Sequence, residues 1–191
     1  ARMYATNSPA SILYAMGITQ HTHGTDNVLA LSNLALLTGN VGRDSSGVNP
    51  LRGQSNVQGA CDMGALPNVY PGYQRVDRPE VRERFEAAWG VPLDDTPGLT
   101  HLEILRGVSG GRIKAIYLVG ENPALSEADA THARKAMEDV DFLVVQDIFF
   151  TETAGFADVI LPASAFPEKT GTFTNTDRRV QLGRQAVEPP G

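Results

Sequence analysis

The sequence has 191 residues, 41% hydrophobic and 20% charged, ordinary values for a folded chain with one sizeable core or two small ones. Its formal net charge of −6 leaves no basic stripe of the kind a nucleic-acid binder carries, and no apolar run reaches the roughly 20 residues of a membrane helix. The single cysteine, Cys61, excludes an internal disulfide, a Cys-x-x-Cys redox pair and a four-cysteine metal site built from this chain alone.

The start at Ala1 and the end at Pro189-Pro190-Gly191 lead us to expect a piece of a larger polypeptide. The first fifteen residues do not read as a secretory leader, and a cytoplasmic location is expected. Residues 12–18 predict a short buried strand, followed at once by polar Thr19, Gln20 and His21. Residues 26–38 predict a helix with Asp26 as N-cap, Val28, Leu31, Ala35 and Leu36 on one face, and Gly39 as the stop. From Asn40 to Arg75 no periodicity is visible; an ordered run of this length, rich in Gly, Asn, Gln and Pro, points to function. Residues 79–89 predict a helix with Pro79 in its first turn and Gly90 at its end. Thr100 and Glu103 form a capping-box pattern for a short helix through Leu105, with Gly107, Gly110 and Gly111 as breakers. Strands are predicted at 114–119, 142–145 and 158–161, a helix at 127–137 and a helical turn at 153–157. The strands are apolar runs rather than alternating ones, so burial on both faces is expected. The predicted fold class is α/β, a three-layer αβα arrangement around a Rossmann-like, mostly parallel sheet.

In such a sheet, ligands bind beyond the carboxyl ends of the strands. Those ends carry Gly120-Glu121-Asn122-Pro123, Gln146-Asp147 and Pro162-Ala163-Ser164. Ser126 is expected at the start of the next helix, where a hydroxyl and free N–H groups suit a phosphate or a base edge. The plain alternative, that Asn122-Pro123 is a turn and Ser126 a cap, stays open. The Gly-x-Gly-x-x-Gly fingerprint is absent after Val119. A second candidate is the loop 48–59, which sets Arg52 among amide side chains. Its guanidinium fork matches a carboxylate, Gly53 lets backbone approach a flat ligand, and Asn and Gln can read a heterocycle edge. A surface arginine in a polar loop is the competing reading. With its carboxylate partner absent, Arg52 should be exposed or disordered, because burying a lone guanidinium costs several kcal/mol, on the order given for unpaired buried charges. His21 and His23 lack a third ligand nearby, so no metal-binding residue is assigned. His101 and His132 read as surface residues, and Cys61 has no histidine partner that would make it a nucleophile.

Three stretches are familiar: 37–42 (LTGNVG), 47–67 (GVNPLRGQSNVQGACDMGALP) and 70–73 (YPGY). Later pieces follow in the same order: 120–123 (GENP), 145–149 (VQDIF), 157–163 (ADVILPA) and 168–181 (EKTGTFTNTDRRVQ). Together they closely resemble the formate dehydrogenase branch of the molybdopterin oxidoreductases. The resemblance implies oxidation of formate to carbon dioxide, or the reverse, at molybdenum or tungsten held by two molybdopterin guanine dinucleotides. It implies that Arg52 orients formate and that Gln20 and Gln54 contact a pterin. Asn122, Ser126, Gln146 and Asp147 are implied contacts to a guanine dinucleotide. Ala163 stands where the family often has Ser or Asp, which puts a side-chain contact there in doubt.

The family's metal-ligating cysteine or selenocysteine with its following histidine, its N-terminal iron–sulfur module and its C-terminal barrel have no counterpart here. The chain is therefore expected to be an internal fragment, inactive alone. Its implied partners are formate, the remaining domains of the subunit (which hold the iron–sulfur cluster) and electron-transfer subunits. The implied domain plan is 1–54 as the end of one α/β pterin domain, 55–166 as part of a second, and 167–191 as a segment leading back toward the iron–sulfur region. Two other readings remain: a nucleotide-binding or scaffold module without redox chemistry, and a sister oxidoreductase of the nitrate reductase or NADH dehydrogenase large-subunit type.

Overall fold

The computed structural model describes residues 1–190 and divides the chain into two units. Unit 1 comprises residues 1–60 and 173–181; unit 2 comprises 61–172 and the described residues from 182 onward. The chain is mixed α/β, with its strands in several small sheets.

Unit 1 opens with α1 (Arg2–Thr6), β1 (Ser11–Tyr14) and a helical turn α2 (Met16–Thr19). The strand expected over residues 12–18 therefore stops early. Its partner β2 (Gly47–Pro50) offers four residues, in parallel register from Ser11↔Gly47 to Tyr14↔Pro50. The ladder closes with the Leu51 N–H donating to the Tyr14 carbonyl at 2.7 Å, and beyond it the chain turns into α2. Between the two strands lies α3 (Gly24–Leu37), which starts two residues earlier than predicted, so Asp26 sits in the first turn and not at the cap. There its carboxylate still favours the positive helix end. Gly24 is obligatory, since a Cβ would lie 2.0 Å from the Thr19 carbonyl oxygen. Gly39 follows the helix in the left-handed region (φ 67°), as expected of a C-terminal stop. Asn40, fully buried, ties this helix end to the N-terminal segment: its Oδ1 accepts from Ser8 Oγ (2.8 Å), the Ala10 N–H (3.1 Å) and Arg43 (3.0 Å).

The segment without visible periodicity holds β2, α4 (Val57–Asp62) and the antiparallel two-residue strands β3 (Val69–Tyr70) and β4 (Gln74–Arg75). In unit 2 the β3–β4 pair packs against α5 (Pro79–Trp89), where Tyr70, Phe85 and Trp89 form an aromatic cluster with centroids 4.7–5.9 Å apart. Helix α6 (His101–Ser109) begins with the predicted capping box but runs past Gly107. That glycine is a packing position: a Cβ would approach Ile113 to 2.7 Å, and its carbonyl accepts from the Arg112 and Ile113 N–H groups.

The main sheet follows: β5 (Ala115–Val119), α7 (Pro123–Ser126), α8 (Ala130–Asp139), β6 (Phe142–Asp147) and β7 (Val159–Pro162), with a 3-10 turn at Thr153–Phe156 before β7. The order is β5-β6-β7, all parallel, so the three strand ends share one edge as expected. Leu143 and Val145 of β6 are fully buried against Leu105 and Val108 of α6 and Ala133, Ala136 and Met137 of α8. The opposite face is open: Tyr117 is 60% exposed, Val119 58% and Phe142 46%. Burial on both faces is thus corrected to burial on one for β5 and β6, because within this chain both long helices cover the same side, while β7 is exposed along its whole length. After a 3-10 turn at Phe166–Glu168, β8 (Gly171–Thr174) and β9 (Val180–Gly183) pair as a hairpin that the sequence reading did not predict.

Candidate functional site

At the carboxyl edge of the main sheet the expected residues gather, but most of their polar atoms are already engaged within the chain. Asn122 Oδ1 accepts from the Thr153 N–H (3.1 Å) and Thr153 Oγ1 (2.7 Å), and its Nδ2 donates to Glu152 (2.7 Å). Thr153, fully buried, passes the link on by accepting the Ala124 N–H at 3.1 Å. The Asn122 bond, with the residue's own backbone amide next, holds the Glu152 carboxyl below the usual carboxylate range. Asn122 is therefore a clamp joining the end of β5 to the loop after β6.

Ser126 lies at the end of α7, where its hydroxyl donates to the Asn122 carbonyl (3.0 Å). The expected position at a helix start is corrected: α8 begins after Asp129, whose side chain accepts from the His132 N–H. A free helix N-terminus at Ser126 is thus not available to a phosphate. Gln146 accepts a hydrogen bond from the Tyr117 hydroxyl on the open face of the sheet. Asp147 uses Oδ1 to accept the Ile148 N–H (2.6 Å) and the Phe149 N–H. One NH2 group on Gln146 and one oxygen on Asp147 remain for a ligand, and aromatic Phe149 and Phe150 stand exposed beside them.

In unit 1, Arg52 is exposed and has no hydrogen-bond or ion-pair partner among the described residues. It lines two clefts. One, of about 290 Å³, brings it together with Gln54, Gly53 and Met16; the other, of about 650 Å³, with Asn49, Gln58, Asn175 and Arg178. Gln20 lies outside both, its amide donating to Met16 Sδ at 3.3 Å. The structure thus joins Arg52 with Gln54 and leaves Gln20 apart. The donors of the two clefts fit an anionic, flat ligand: the Arg52 guanidinium fork in both, the Gln54 carboxamide and open space around Gly53 (where a Cβ would meet nothing within 4 Å) in the smaller, and Asn49 and Asn175 in the larger. Among the described residues, no group of three His, Cys, Asp or Glu side chains could hold a metal, and no helix is long and apolar enough to cross a membrane.

The sequence reading missed the framework of this cleft. Asn56, in the left-handed region (φ 68°), accepts the Thr174 N–H at 2.9 Å and so fixes the β8–β9 turn to the loop. Gly59 makes room for that bond: a Cβ would lie 2.1 Å from Asn56 Oδ1 and 3.1 Å from Thr174 Oγ1. Gly59→Ala should lower stability by about 1–2 kcal/mol. Overpacking and a displaced hydrogen bond outweigh the roughly 1 kcal/mol of helix propensity that alanine gains. Thermal unfolding would measure the loss, and faster amide exchange at Thr174 would localise it; unchanged values for both would disprove the clamp.

The model of the Molybdopterin oxidoreductase family matches residues 3–191. The chain belongs to that family. The family read from its motifs is thereby established, and several relatives of this molybdopterin oxidoreductase chain are formate dehydrogenases. It is 58% identical over 191 residues to the F420-dependent formate dehydrogenase subunit alpha of Methanocaldococcus jannaschii, covering all of this chain and 28% of the relative. It is 55% identical over 192 residues to the F420-dependent formate dehydrogenase 2 subunit alpha of Methanococcus maripaludis, with the same coverage. With formate dehydrogenase H of Escherichia coli it shares 50% over 190 residues, 99% of this chain and 27% of that one. The chain spans just over a quarter of the length of these curated relatives.

Proposed function

We propose that this chain is an internal part of the catalytic subunit of a formate dehydrogenase, in which it supplies the substrate-orienting arginine and part of the wall of a pterin site. The observation that carries the reading is Arg52: exposed, without a partner among the described residues, and lining both the cleft that holds Gln54 and Gly53 and the one that holds Asn49 and Asn175. Formate has no side chain to grip, so its two oxygens must provide nearly all of its binding. A planar guanidinium can hold both oxygens and fix the direction of the C–H bond. The chemistry supplied by a molybdenum or tungsten bis-molybdopterin guanine dinucleotide, when bound, is acceptance of the two electrons released as formate becomes carbon dioxide and a proton. Gln54 is the residue best placed to meet the pterin beside Arg52; Gln146 and Asp147 keep one donor and one acceptor for a base edge. Asn122 and Ser126 act behind that edge, holding the loop that carries Glu152.

The finer architecture belongs to the same reading. A three-layer, Rossmann-like domain results if another part of the intact subunit covers the face of Tyr117, Val119 and Phe142. The domain plan of 1–54, 55–166 and 167–191, an iron–sulfur cluster elsewhere in the subunit, and electron-transfer partners are proposals on the same footing. The test is compositional and catalytic together. The intact polypeptide containing this chain, purified anaerobically, should release a pterin guanine dinucleotide, contain molybdenum or tungsten, and oxidise formate with an artificial acceptor. A fully loaded preparation inert to formate but active on nitrate would move it to the sister class. One that binds neither metal nor pterin would leave the scaffold reading.

A further inference from the structure

The turn between β8 and β9 places an arginine where the backbone favours glycine. The Arg178 N–H donates to the Asn175 carbonyl (2.9 Å), the Asn175 N–H to the Arg179 carbonyl (3.2 Å), and the Arg179 N–H to Asn175 Oδ1 (2.9 Å). This closes a three-residue hairpin loop whose last position is left-handed, and Arg178 has φ 64°. Glycine is the ordinary occupant there, since a β-carbon is crowded in that conformation. A strained residue held by a well-bonded turn points to a task for its side chain.

Three further observations say what the task is. Arg178 lines the same cleft of about 650 Å³ as Arg52. It is exposed and has no hydrogen-bond or ion-pair partner for its side chain among the described residues. The nearest carboxylate in sequence, Asp177, is taken by Arg179 at 3.2 Å. The cleft therefore carries two guanidinium groups without an ion-pair partner among the described residues; Asn49, Asn175 and Thr176 add neutral polar groups to its wall, and the one carboxylate that lines it, Asp177, is engaged by Arg179. A solvated turn arginine would explain the exposure. It would not explain why this backbone position forgoes glycine, nor why the turn is clamped by Asn56 to the loop that bears Arg52. A cleft of this volume also exceeds what formate alone can fill.

We propose that Arg178 is a second oxyanion-binding residue of the Arg52 cleft. The inference rests on reading that cleft as a ligand site. The oxyanion has two possible sources, a phosphate of a bound dinucleotide or a small carboxylate held beside Arg52, and one set of variants separates them. In the intact subunit, Arg178→Gly and Arg178→Asn both suit the left-handed backbone, and Arg178→Lys keeps the charge. Arg178→Gly should raise the melting temperature through relief of the turn. Inorganic pyrophosphate, titrated calorimetrically into cofactor-free subunit, should bind about 10-fold more weakly to the Gly and Asn variants, with partial recovery in Arg178→Lys. If the source is a phosphate, the Gly and Asn variants also purify with less pterin dinucleotide. If it is a carboxylate, cofactor content holds and the KM for formate rises about 10-fold at unchanged kcat. A raised melting temperature with unchanged pyrophosphate affinity, cofactor content and formate KM would overturn the proposal and leave Arg178 a strained turn residue. Arg52→Lys serves as the control. Should it leave formate kinetics intact while the Arg178 variants lose pyrophosphate, the formate reading falls and the oxyanion site stands.

Discussion

Replacing Arg52 with lysine in the intact subunit is expected to lower kcat/KM for formate by about one to three orders of magnitude. Charge-assisted hydrogen bonds contribute roughly 1.5–3 kcal/mol each, and the substitution removes one or two of them while keeping the positive charge. The loss reflects orientation more than attraction, because an ammonium can draw formate in but cannot hold both oxygens in one plane. Metal and pterin content should stay normal, since Arg52 has no partner among the described residues whose fold would suffer. Steady-state kinetics with metal quantification checks both halves. Near-normal kcat/KM, or wholesale loss of metal, would reject the role.

The second large effect lies at the sheet edge. Asn122→Ala should destabilise the cofactor-free polypeptide by about 2–4 kcal/mol. It strips the acceptor from the N–H and hydroxyl of Thr153, a fully buried residue, and a buried donor left unmade costs roughly 1–3 kcal/mol. For a chain of this size that corresponds to a fall of about 5–12 °C in melting temperature. A residue that served only to contact a bound dinucleotide would leave the cofactor-free melting temperature where it was. The measurement therefore decides between clamp and contact, and no change in melting temperature would return Asn122 to the contact role.

These two residues mark how far the sequence could be read. The apolar runs at β5, β6 and β7 were legible because each is short, bounded by polar residues and rich in Val, Ile and Leu, so the shared edge of Asn122, Gln146 and Ala163 followed. The type of each edge residue was legible too; its bonding was not. An asparagine after a strand reads equally as ligand donor or as clamp until Thr153 and Glu152, some 30 positions later in the chain, fold back onto it. Ser126 and Asp129 are both capping residues, and only the break between α7 and α8 shows which one caps. The segment from Asn40 to Arg75 hid its elements because strands of two and four residues are too short to display a period. Gly107 reads as a breaker because spacing does not reveal that Ile113 presses on it. Nor can an apolar strand announce which of its faces the local helices will take. The motif at 168–181 signalled kinship, yet its left-handed Arg178 and its place beside Arg52 emerge only from backbone geometry.

The open side of the main sheet has a thermodynamic consequence. Side chains such as Tyr117, Val119 and Phe142 are hydrated in the native state and stay hydrated when the chain unfolds. Their water shells cancel between the two states, so they add little to the heat-capacity increment of unfolding or to its denaturant sensitivity, both of which follow newly exposed area. The cooperativity of this region is thus carried mainly by the layer between the sheet and helices α6 and α8, where Leu143, Val145 and Met137 meet and Ile116 and Leu118 of β5 pack against them.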